Sequence, residues 1–116
     1  MPKRDDTVVL RHMLDHAREA VGMIAGKTRK DLDAERMLEL SLTRLVEIVG
    51  EAAGRVSVQG QEEHPAIPWK EIIGMRNRLI HGYDSVDLDV LWDTVDLDLP
   101  PLIIALEKIE MPSIDP

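Results

Sequence analysis

Two apolar stripes at helical spacing limit the architecture before any motif is read. Leu10, Met13, Leu14, Ala17, Val21 and Ile24 recur at i, i+3, i+4 and i+7, and Leu38, Leu42, Leu45, Val49 and Ala52 repeat the pattern. Each stripe needs a packed partner. Only Trp69, Trp92 and Tyr83 are aromatic and Phe is missing, so aliphatic residues, Met and Ala must build the core, which favours packed helices over a sheet sandwich. At 116 residues the chain is expected to be one domain, spanning 1–116, folded as an all-α, up-and-down bundle of four or five helices.

A net charge of −8 argues against a protein that coats nucleic acid by bulk electrostatics, so any nucleic-acid contact must be local. Asp84, Asp87, Asp89, Asp93, Asp96 and Asp98 crowd one segment, while Lys27, Arg29 and Lys30 cluster in another. Both read most simply as solvated surface. The lack of cysteine excludes disulfides, iron-sulfur clusters and thiolate zinc sites. No apolar run approaches the ~18 residues of a membrane span. Met1 to Asp6 turns acidic before any apolar stretch, unlike a secretory signal, and a cytoplasmic location is expected.

Taken in order, helix one is expected to be capped by Asp6 or Thr7 and to end at Gly26. His12 and His16 stand four apart on it but have no obvious third ligand, so they read as solvent-facing, with no metal or cofactor expected. Helix two runs from a cap at Asp31 or Asp33 to about Gly54. Leu40, Val46, Ile48 and Ala53 lie outside its stripe, and they serve either a subunit interface or a second covering within the monomer. Val56 to Pro65, including His64, reads as a surface loop. Helix three starts at Pro68 and ends near Gly82, with Ile72, Ile73, Met75, Leu79 and Ile80 facing the core. Asp87 caps helix four, which carries Leu88 to Leu97 and is kinked or restarted at Pro100-Pro101.

The chain's reactive side chains concentrate at the end of helix three, where Arg76, Asn77, Arg78, His81 and Tyr83 fall within eight positions. On a regular helix Asn77 and His81 project roughly 140° away from Arg76, Ile80 and Tyr83. Arg76 and His81 converge only if Gly82 lets the last turn unwind, or if two copies of the helix meet across a dimer. At a shared phosphate these groups suit metal-free RNA cleavage. An imidazole with an unperturbed pKa near ~6.5 can move protons at neutral pH. A guanidinium offers a bidentate fork and a charge that does not titrate away, which suits a pentacoordinate phosphate. Asn77 is placed to orient His81 or the phosphate, and Arg78 either adds charge or forms a surface salt bridge. Taken singly, each residue has an ordinary reading: an arginine pairs with a carboxylate, a histidine caps a helix end, a tyrosine packs.

The run Ile67-Pro68-Trp69-Lys70-Glu71-Ile72-Ile73-Gly74-Met75-Arg76-Asn77-Arg78-Leu79-Ile80-His81-Gly82-Tyr83 resembles the central signature of the HepT-like ribonucleases of the HEPN superfamily. Val49-Gly50-Glu51-Ala52-Ala53, Asp87 to Trp92 and Leu99-Pro100-Pro101-Leu102 extend the likeness over most of the chain. The resemblance implies a metal-independent ribonuclease toxin of a toxin-antitoxin system, acting as a homodimer on RNA, with Arg76 and His81 as its catalytic pair. It also implies a partner, a MntA-like nucleotidyltransferase antitoxin that silences the toxin by AMPylation of Tyr83, the magnesium belonging to that partner. The alternative is a non-catalytic subunit that binds, or presents substrate to, a nucleotidyltransferase.

Overall fold

The computed structural model describes residues 4–80, 82–83 and 85–111, and among these the chain is all-helical. The first stripe forms α1 (Arg4–Met23), which buries Leu10, Met13, Ala17 and Ala20 completely and ends in a turn through Gly26, as expected. Asp6 does not act as a cap at its start. Its buried carboxylate instead accepts hydrogen bonds from the backbone N–H and the hydroxyl of Ser57.

The expected second helix is two helices. α2 (Arg29–Ala34) is capped by Thr28 rather than by an aspartate, with Asp31 reaching back to the Thr28 N–H, and α3 (Arg36–Arg55) follows after Glu35 turns extended. α3 is the central element, packing on α1 along one side and on the later short helices along the other. This settles the surplus apolar residues differently from one another. Val46 and Ala53 are buried inside the monomer, Ile48 is partly covered, and Leu40 is exposed together with Met37. Of the two roles the sequence left open, covering within the monomer holds for Val46 and Ala53, while Leu40 stays uncovered.

The stretch expected to be a loop contains a further helix, α4 (Val58–Glu63), whose Ser57 cap accepts from the Gly60 N–H. The indole N–H of buried Trp69 donates to the His64 carbonyl and pins the turn that follows. Helix three is likewise divided, into α5 (Trp69–Ile73) and α6 (Met75–Leu79), with Gly74 between them at φ −84° and ψ 0°. The break shifts the register, so Ile72, Met75 and Leu79 are buried whereas Ile73, expected in the core, is exposed. At Gly50 the α3 backbone runs so close to α5 that a Cβ there would lie 3.1 Å from the Ile72 carbonyl oxygen. That approach seats the α5–α6 arm on α3.

Asp87 caps α7 (Leu88–Asp93) by accepting from the Val90 N–H, as its position suggested. The prolines restart the helix without a bend to a loop: a π-helical turn (Thr94–Asp98) leads directly into α8 (Leu99–Glu107), with the Leu99 N–H bonded to the Thr94 carbonyl. Pro100 and Pro101 have no N–H to give, and the wider turn absorbs them. The same widening turns Leu97 outward. Val95, Leu99, Leu102 and Leu106 complete the core against α1. No helix among the described residues is long and apolar enough to cross a membrane.

Candidate active-site groove

Helix α6 stops at Leu79, almost a turn before Gly82, and Ile80 is already extended at φ −88° and ψ 124°. An isolated antiparallel bridge pairs Ile80 with Val86, the Asp87 N–H donates to the Leu79 carbonyl at 2.7 Å, and Gly82 takes φ +77°. The positive φ is a conformation that suits glycine and strains other residues. Ile80, Gly82, Tyr83, Ser85 and Val86 thus lie outside the helix, in a loop closed by the Ile80–Val86 bridge, and the regular-helix projection does not apply to them.

This loop and α3 enclose a groove of about 290 Å³ lined by Arg36, Glu39, Leu40, Thr43, Arg44, Glu47, Arg76, Ile80, Tyr83, Ser85 and Val86. Arg76 and Tyr83 line it together. Tyr83 is fully exposed, with its ring outside any packed core. His81 and Asp84 lie outside the described residues; on either side of His81 in sequence, Ile80 and Tyr83 both border the groove.

Arg76 is paired, as an isolated arginine commonly is. Its Nε lies 3.4 Å from Oε2 of Glu47, a side chain 22% exposed. The same oxygen is 3.7 Å from Nη1 of Arg44, which also stands 3.9 Å from Glu51, and Arg36 pairs with Glu39 nearby. The groove therefore presents three guanidiniums, each matched by a carboxylate, on a chain that is acidic overall. Neither Glu47 nor Arg44 was singled out in the sequence. The legible signal was their helical spacing: Arg44, Glu47 and Glu51 share one face of helix two, at i, i+3 and i+7.

The remaining candidates point elsewhere. Arg78 is exposed, donates a long bond to the Glu71 carbonyl at 3.5 Å, and lines a different hollow with Pro68, Asp98 and Pro101. That contact is to the backbone and not to a carboxylate. Asn77 is exposed and is not among the residues lining the groove. His12 and His16 are close, and the His16 Nδ1–H donates to the His12 carbonyl at 2.7 Å; among the described residues no cluster of three metal-ligating side chains occurs.

Comparison with known proteins places the chain in a family. Residues 13–109 match the model of the family described as Ribonuclease HepT-like. The chain is similar to the protein named "Probable ribonuclease HepT" of Thermococcus cleftensis, at 37% identity over 83% of this chain and 91% of the relative. It is also similar to the protein named "Putative RNase MJ1216" of Methanocaldococcus jannaschii, at 30% identity over 94% of this chain and 90% of the relative. No solved structure matches the chain.

Proposed function

The chain belongs to the HepT-like ribonuclease family, and from that premise we propose that it is the ribonuclease toxin of a toxin-antitoxin pair, cleaving RNA at the groove lined by α3, Arg76 and Tyr83. The observation that carries the reading is that Arg76 and, on either side of His81 in sequence, Ile80 and Tyr83 border one groove. In the proposed reaction a ribose 2′-OH attacks the adjacent phosphorus as His81 takes its proton. The pentacoordinate phosphorane forms beside Arg76. The 5′-oxygen then leaves, taking up the proton that the His81 imidazolium releases, and this gives a 2′,3′-cyclic phosphate and a 5′-hydroxyl. Imidazole and guanidinium suffice for this chemistry without a metal ion.

A homodimer is part of the proposal. Met37 and Leu40 are exposed apolar residues on the α3 end that borders the groove, and a second copy seated there would enclose the RNA between two sites. So is silencing by a MntA-like nucleotidyltransferase antitoxin. The Tyr83 oxygen would attack the α-phosphorus of ATP, forming a Tyr–O–P bond as pyrophosphate leaves, and the transferred AMP would fill the groove with bulk and negative charge. The full exposure of Tyr83 supports this step, and it equally supports the alternative in which the chain is a non-catalytic substrate subunit of a nucleotidyltransferase.

The deciding experiment incubates the protein, shown by intact mass to be unmodified at Tyr83, with total RNA in EDTA beside an identically prepared His81→Ala variant. Cleavage by the wild type alone is the expected result. Equal cleavage by both removes His81 from the mechanism, and cleavage by neither favours the substrate-subunit reading.

A further inference from the structure

Glu47 stands where the groove's two nearest guanidiniums meet, with one carboxylate oxygen 3.4 Å from Arg76 Nε and 3.7 Å from Arg44 Nη1. Among the described residues no other carboxylate pairs with Arg76. The closest approach is through Nε, at the base of the guanidinium, and not through the Nη1–Nη2 edge. That edge is one of those that bind a phosphate with two parallel hydrogen bonds. Glu47 is also mostly buried at the α3 wall of the groove, at 22% exposure, whereas Arg76 is 55% exposed, so the carboxylate is the fixed partner and the arginine the one it holds.

We propose that Glu47 is a positioning residue for phosphoryl chemistry at this groove: it orients Arg76 from behind, so that the guanidinium meets the phosphorus-bound oxygens of RNA in a set geometry. Arg44 shares the Glu47 charge and keeps that carboxylate from repelling the substrate. A flexible arginine without this brace still attracts RNA, but it loses alignment as charge builds on the phosphorane. The inference rests on the ribonuclease reading for its consequence and on the ion-pair geometry for its premise.

The test compares wild type, Glu47→Gln and Glu47→Asp in steady-state cleavage of a single-stranded RNA, with thermal melting as the folding control. Gln keeps size but removes the charge; Asp keeps the charge but shortens the reach. For Glu47→Gln, kcat is expected to fall about tenfold while KM stays within about twofold, because the lost interaction acts on the transition state. Asp falls between the two. Full activity of Glu47→Gln overturns the proposal, and so does a loss confined to KM. A second readout does not need turnover: the ¹⁵N resonance of the Arg76 Nε–H, assigned by its disappearance in Arg76→Lys, is expected to move in Glu47→Gln. If wild type cleaves no RNA yet that resonance moves, the ribonuclease reading fails and the brace stands. An unmoved resonance overturns the brace itself.

Discussion

The carboxylate of Asp6, in the first turn of α1, accepts both the backbone N–H and the hydroxyl of Ser57, fifty-one residues further along the chain, at 2.9 and 2.6 Å. Ser57 in turn caps α4 through the Gly60 N–H. One buried acid thereby joins the start of the chain to a helix beyond α3. Asp6→Ala leaves the Ser57 donors without this acceptor and is expected to destabilise the fold by about 1–3 kcal/mol. Urea denaturation followed by circular dichroism measures it, and an unshifted midpoint refutes the linkage.

Gly60 packs directly against that carboxylate, where an added Cβ would sit 2.5 Å from Asp6 Oδ2 and 2.9 Å from a Val56 methyl. Although Ala favours helix over Gly, Gly60→Ala should destabilise, by about 1–3 kcal/mol, because buried groups must move to admit the methyl. A stabilised Gly60→Ala protein would show that the Asp6 side chain yields easily.

For catalysis, Arg76→Ala and His81→Ala are each expected to lower RNA cleavage by at least about a hundredfold with little change in melting temperature, since Arg76 is exposed and away from the core. Initial rates on a labelled RNA decide this. Retained activity in Arg76→Ala would move the site elsewhere.

Tyr83→Phe removes one oxygen from a fully exposed ring, so its melting temperature should match wild type. With a cognate nucleotidyltransferase, ATP and magnesium, intact mass should show AMP on the wild type and none on Tyr83→Phe. Equal modification of both would place the acceptor on another residue.

Exposed Leu40 gives a test of the dimer: Leu40→Glu sets a charge on the apolar patch beside the groove and should shift the protein toward monomer in sedimentation velocity. A wild type that is monomeric at high micromolar concentration would contradict the dimer outright.

The buried stripes of α1 and α3, the Asp87 cap and the restart at Pro100-Pro101 were legible because each rests on local chemistry: spacing, a capping oxygen, a missing N–H. The break at Glu35, the helix hidden at Val58–Glu63 and the outward turn of Ile73 were not. Ser57 and Gly74 carry local signals for the last two, but weak ones next to the apolar patterns they interrupt. At the site, the sequence offered Arg76 and Tyr83 as candidates without a way to join them to Glu47 or Arg44. Those partners come from a helix some thirty residues earlier, and no periodicity spans that distance.

By itself the sequence determined the all-helical class, the aliphatic core and the cluster of reactive side chains, since these depend on residue type and near-neighbour spacing. Only the tertiary structure decided which faces of α3 are covered, where the third helix lets go, and that Arg76 meets Glu47 across a groove. These depend on how closely separate segments approach, as at Gly50 against the Ile72 carbonyl, and such distances are set by the packing of the whole chain.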